Sequence, residues 1–148
     1  MYSRIVIALD GSSRGEAALR EGVELAKALH APVHLLQVAD VTWVRFGAPE
    51  AAVDYAQLSD ELEQEKREAS EYLTRHTTRL RGEGLTITST VGSGFAARGI
   101  LDATKPGDLL VMSSHGRSGP VRWLLGSVAE EVTRHATVPV LLVRASEE

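Results

Sequence analysis

Cysteine is missing from all 148 residues, which excludes disulfides, thiolate nucleophiles and thiolate metal sites together. A basic excess is missing too: 16 Lys+Arg stand against 20 Asp+Glu, for a net charge of −4. General binding to nucleic acid or to an anionic membrane needs a concentrated basic surface, so neither partner is expected. Apolar runs are short, and none approaches the roughly 18 residues that span a membrane. The opening Met1-Tyr2-Ser3-Arg4 and apolar 5–9 show neither the longer core nor the cleavage site of a signal peptide. A cytoplasmic location is the expectation. What is present is 43% hydrophobic and 24% charged, an ordinary globular balance, at a length suited to one domain over 1–148.

Five apolar runs punctuate the chain, at 5–9, 33–38, 85–91, 108–112 and 138–143. The first, fourth and fifth are nearly continuous in Val, Ile and Leu, as strands buried on both faces are. The third alternates, which places it nearer an edge. Helical patterns fill the gaps. Ser13-Arg14-Gly15-Glu16 reads as a capping box opening a helix to about Leu29, with Ala18, Gly22, Leu25 and Leu29 on one face. A longer helix spans 54–80, with Leu58, Leu62, Ala69, Leu73, His76 and Leu80 at helical spacing. A third covers 95–104, and Ser127-Val128-Ala129-Glu130 reads as a second capping box opening the last. The order predicts an α/β fold: a doubly wound, open, five-stranded parallel sheet, strand order 3-2-1-4-5, with ligands outside the carboxyl ends of the strands. The long connection at 40–53, holding Trp43, reads as a flap beside that site.

The chemistry sits after the fourth strand. Ser113-Ser114-His115-Gly116-Arg117 leads through 118–125 into Gly126-Ser127 and the last helix. Unpaired N–H groups of a first helical turn, with the positive end of its dipole, form an anion site. Gly116 and Gly126 would let backbone approach phosphate oxygens, and Ser127 would cap the helix or donate to a phosphate. The plainer alternative is a loop that needs its glycines for tight turns.

These residues resemble a known family. ATP-binding universal stress proteins carry G-x-x-G, nine residues, then G-[ST] at this point in the chain. Here the pattern is Ser113-Ser114-His115-Gly116, nine residues, Gly126-Ser127, matching except where Ser113 replaces the first glycine. IVIALDGS near the start and VPVLLVR near the end match the family's first and last strands. The resemblance implies a Rossmann-like, adenine nucleotide α-hydrolase-like fold and ATP as ligand. Ala8 and Asp10 would lie at the end of the first strand, Asp10 near the ribose; its alternative is an aspartate that turns strand into helix. Val38 would offer backbone to the adenine edge. Met112, Ser113, His115 and Gly116 would line ribose and phosphates, with a weaker claim for Arg117. Gly126, Ser127, Val128 and Ala129 would hold phosphates through their N–H groups. The resemblance also implies a homodimer through 138–143, an apolar edge strand that a second copy would cover.

Rival signals are weaker. Gly92-Ser93-Gly94-Phe95-Ala96-Ala97 mimics a dinucleotide fingerprint but follows the third strand and lacks the acidic partner; a tight turn edging the pocket fits better. Ser114 and His115 suggest a hydrolase, yet sequence neighbours rarely face each other and Ser114 does not sit in a G-x-S-x-G elbow. His30, His34, His76, His115 and His135 show no metal-ligand spacing, so a divalent ion, Mg²⁺ or Mn²⁺, fits better as a bridge across bound phosphates. The expected function is an ATP-binding stress-response or regulatory protein. The alternatives are a slow ATPase or phosphotransferase and a nucleotide-free dimeric adaptor.

Overall fold

The computed structural model describes residues 1–40, 55–116 and 125–144. Strands β1 (Arg4–Leu9), β2 (Val33–Asp40), β3 (Ile87–Gly94), β4 (Asp108–Ser113) and β5 (Val140–Val143) form one parallel sheet, ordered β3-β2-β1-β4-β5. The described helices are α1 (Ser13–Leu29), α2 (Tyr55–Gly82), α3 (Ala96–Ala103) and α4 (Ser127–His135). They cover both faces, as the strand composition predicts.

The alternation of the strands sorts the core into two halves. Ile5, Ile7 and Leu9 of β1 pack with Ala18, Leu19 and Val23 of α1 and with Leu73 and Leu80 of α2. Val6 and Ala8 turn the other way, onto Ala97 and Ile100 of α3 and Ala129 and Val132 of α4. Both sides of a central strand are therefore apolar, which is why its sequence reads as an unbroken run. The edge strand β3 is different: Ile87 is buried while Thr88, Ser89 and Thr90 are exposed. On α1, a Cβ at Gly22 would fall 2.5 Å from Ile7 Cδ1, so glycine is what lets this helix lie close on β1.

Several boundaries differ from the sequence reading. Ser12, not Ser13, caps α1, accepting from the Gly15 N–H at 3.2 Å. Gly126, not Ser127, is the N-cap of α4, and it has no side chain with which to cap that helix. Gly92 and Ser93 are not a tight turn, because β3 continues through them, paired with Val38 and Ala39. Val38 is accordingly two residues short of the end of β2. Of the expected flap, Asp40 belongs to β2, and Trp43 lies outside the described residues, as does Trp123.

Strand ends position the site. The β1–β2 ladder stops at Leu9↔Gln37, and the β1–β4 ladder at Ala8↔Met112. β2 runs on to Asp40 beside β3, and β4 to Ser113 beside β5. The central strand is thus overshot by both neighbours where the strand order reverses, leaving a crevice at the carboxyl edge.

At the opposite edge a buried ion pair ties β1 to β4. Arg4 Nε and Nη2 donate to Asp108 Oδ1 and Oδ2 at 2.9 and 2.7 Å, and the Lys105 N–H donates to Oδ2 at 2.9 Å. Asp108 is 1% exposed. Burial alone would raise its pKa, but the bonds from Arg4 and Lys105 outweigh burial and hold it below 3.8. Stability from this pair is therefore complete well above that value and lost as pH falls through the depressed folded pKa. Asp108→Asn should cost roughly 3 kcal/mol at pH 7 in urea unfolding, with the difference from wild type shrinking below pH 3.8.

Candidate functional site

The site begins where β1 ends. Asp10 Oδ1 accepts from the Ser12 N–H at 3.0 Å and the Ser12 hydroxyl at 2.5 Å, closing the turn into α1. Asp10 Oδ2 faces Gly116, where an added Cβ would come within 2.6 Å of it. Asp10 therefore performs the turn-closing role and also presents a carboxylate to the crevice. Behind the turn, burial first, then the charges of Glu16 and Asp10, push the Tyr72 hydroxyl up to about 12, so it stays protonated.

The loop after β4 is held by its own backbone and side chains. The Ser114 N–H donates to Val143 O of β5 at 2.8 Å, and the Gly126 N–H donates to Ser114 O at 2.7 Å. Ser113 Oγ donates to His115 O at 2.8 Å and accepts from the His115 N–H at 3.4 Å. The serine that replaces glycine thus ties the first turn of the loop to itself. Gly126 has φ −71°, so its need for glycine is not conformational. A Cβ there would meet Ser114 O at 3.2 Å and His115 Cα at 3.3 Å. Both glycines thus already lie close against protein neighbours.

Ser114 Oγ and His115 Nδ1 lie 3.0 Å apart, both residues buried. This corrects the expectation that neighbours in sequence do not meet: the sharp turn after β4 folds the two side chains together. His115 lines the cleft, whereas Ser114 is not among its lining residues. A serine nucleophile facing a ligand is not what this pair provides.

The crevice is a cleft of about 670 Å³. Ala8, Asp10, Val38, Met112, Ser113, His115, Gly116, Gly126, Ser127, Val128 and Ala129 all line it. Arg117 lies outside the described residues. Asp40, Phe95 and Ala97, which the sequence places beside the site but not among its binding residues, also line it, as does Ile100, for which the sequence offered no signal. For two of them the signal was available, since β2 and β3 overrun their apolar cores and carry Asp40 and Phe95 to the crevice edge. Val38, Ala97, Ile100 and Met112 form an apolar wall, and Asp10, Ser113, His115 and Ser127 a polar one. Among its described lining residues the cleft has three carboxylates, Asp10, Asp40 and Glu131, and no Lys or Arg. Among the described residues the positive end of a dipole is offered by α4, whose N-cap Gly126 has no side chain to bond its first turn, 127–129, which opens onto the cleft. A smaller hollow of about 400 Å³ between α3 and α4 shares only Glu131 with it. Among the described residues, no three His, Asp or Glu cluster to hold a metal, and no helix is long and apolar enough to cross a membrane.

A doubly wound sheet with its crevice at the reversal of strand order defines the class of protein. Comparison with known proteins narrows it. The universal stress protein family profile matches residues 1–144. Universal stress protein MJ0531 of Methanocaldococcus jannaschii is 33% identical over 146 residues, covering 97% of this chain and 83% of that protein. The solved universal stress protein UspA from Lactobacillus plantarum superposes with TM-score 0.84 at 25% identity, covering 97% of this chain and 98% of that one. The Archaeoglobus fulgidus universal stress protein, solved in complex with dAMP, matches with TM-score 0.61 at 22% identity over 95% and 97% of the two chains. The chain belongs to the universal stress protein family.

Ser113→Gly should remove the loop's internal tie and add backbone freedom to the unfolded chain. It should lower stability by about 1 kcal/mol in denaturant titration. An unchanged midpoint would show that the Ser113 hydroxyl contributes nothing to the loop.

Proposed function

We propose that the protein is an ATP-binding regulatory protein of the stress response, built as one module over 1–148. The observation that carries this reading is the start of α4: a first turn without a side-chain cap, facing a cleft of ligand size. The A. fulgidus relative solved with dAMP supports an adenine nucleotide as the occupant class. In this reading the base and ribose lie against Ala8, Val38 and Met112, the β2 edge beyond Gln37 having no β1 strand beside it. Asp10 Oδ2 accepts from a ribose hydroxyl. Ser113, His115, Gly116 and the N–H groups of 127–129 receive the phosphates, the Gly126 N–H being taken by Ser114 O, with Arg117 a further candidate. The cleft's three carboxylates oppose a triphosphate, which favours its arrival with Mg²⁺ or Mn²⁺ held through phosphate oxygens and water. Regulation rather than turnover fits a cleft to which His115 is presented but its hydrogen-bonded neighbour Ser114 is not.

Ser127 is the position to probe, because a side chain at Gly126 would press on Ser114 and His115 backbone. Ser127 is exposed at the first helical position, where an acidic side chain favours the helix dipole but repels phosphate. Ser127→Glu should weaken ATP binding at least about 10-fold by calorimetry, with thermal stability unchanged or slightly raised. Equal affinity in the variant sinks the phosphate assignment. A wild type that binds no adenine nucleotide leaves the adaptor reading in its place.

We also propose a homodimer through 138–143. β5 is a sheet edge, and Leu141 is 39% exposed on it. Pairing with a second β5 would cover that edge. Leu141→Lys should shift the light-scattering mass from dimer to monomer; a monomeric wild type at micromolar concentration ends the idea.

A further inference from the structure

The first turn of α1 breaks two helix rules at once. Arg14 is the second helical residue, where its charge meets the positive end of the dipole, and Gly15 follows it. Each exception has a contact that explains it. A Cβ at Gly15 would fall 3.0 Å from Asp10 Oδ1, so the glycine makes room for the turn-closing carboxylate. Arg14 reaches across 102 residues of sequence to donate from Nη1 to Gly116 O at 3.0 Å. A residue that opposes its own helix and instead holds a distant loop is where local rules give way to a site.

We propose that Arg14 is a positioning residue that fixes the leading end of the phosphate loop. Gly116 is clasped from two sides by the β1–α1 turn, sterically by Asp10 Oδ2 and by hydrogen bond from Arg14. Two residues earlier the loop is tied to the sheet by the Ser114 N–H, and at its far side to Gly126 through Ser114 O. Ser114 is therefore anchored to β5 and Gly116 to α1, so Arg14 sets the spacing between the Asp10 end and the α4 end of the cleft. Losing it leaves Gly116 with contact against Asp10 but without the directional bond. This role rests on the nucleotide reading given above, and concerns the phosphate part of the ligand alone.

The test compares wild type, Arg14→Ala and Arg14→Lys by calorimetry with ATP and with adenosine, alongside amide hydrogen exchange. Arg14→Ala should lose about 10-fold in ATP affinity, the value of one hydrogen bond, while adenosine affinity stays within about two-fold. Arg14→Lys, which can still donate to Gly116 O, should recover most of the loss. The His115 amide should exchange about 10-fold faster in Arg14→Ala, with the Ser114 amide, bonded to β5, keeping its rate. Wild-type ATP affinity in Arg14→Ala overturns the proposal, and so does an equal loss for ATP and adenosine. If the wild type binds neither ligand, the nucleotide reading fails by itself. The positioning role then stands on a faster His115 exchange in Arg14→Ala, and falls if that rate is unchanged.

Discussion

Everything at the cleft depends on where β1 stops. Its ladder to β2 ends at Leu9 and its ladder to β4 at Ala8, while both neighbours continue. A strand that ended two residues later would fill the crevice with its own backbone. What ends it is Asp10, whose Oδ1 draws the Ser12 N–H and hydroxyl inward and turns the chain into α1. The same carboxylate then limits what can stand opposite, since Gly116 must lack a Cβ to pass beside Oδ2. One side chain thus ends the strand, starts the helix and shapes the loop 106 residues away in sequence.

The glycines of the loop carry a lesson about motif reading. A glycine pattern suggests backbone reaching toward phosphate, and nothing in that suggestion needs a protein neighbour. Yet a Cβ at Gly116 would have to displace the Asp10 carboxylate, and one at Gly126 would crowd the backbone of 114–115 more tightly than most side-chain contacts. Packing and ligand access are not rivals here. A loop drawn this tightly onto the sheet leaves the N-terminal turn of α4 facing the cleft, because nothing bulky intervenes at 126. The plainer explanation of each glycine is the means by which the other becomes available.

The sheet, its order and eleven of the cleft-lining residues were legible from apolar runs, loop spacing and the resemblance they carry. Ends were harder. Asp40 ends β2, and Phe95 follows the end of β3 as the N-cap of α3; both strand ends are polar or glycine-rich, so the apolar signal fades before the hydrogen-bonded ladder does. The cap positions slipped by one, Ser12 for Ser13 and Gly126 for Ser127, because Ser13…Glu16 and Ser127…Glu130 match the box by residue type, whereas the backbone turns helical one residue earlier and places both serines inside the first turn. The Ser114–His115 contact was hidden for a third reason. It depends on the turn after β4, which the loop's long-range bonds to β5 and α4 impose.

The two helices that flank the cleft show how capping distributes function. α1 begins with a serine that accepts from Gly15, so one of its free donors is satisfied internally. α4 begins with a glycine that has no side chain to offer, and its next residues line the cleft. Glycine at an N-cap costs only a few tenths of a kcal/mol relative to serine, so the fold surrenders little by leaving these donors open. The cleft's described lining has no Lys or Arg, so in the proposed reading the α4 dipole and its first-turn N–H groups would supply the attraction for an anion there. An anion drawn by backbone donors is oriented by the helix axis rather than by a mobile cation. That orientation would persist only while the loop beside it keeps its place, so in the proposed reading the ties at Ser114 and Gly116 would serve the site's chemistry as well as its architecture.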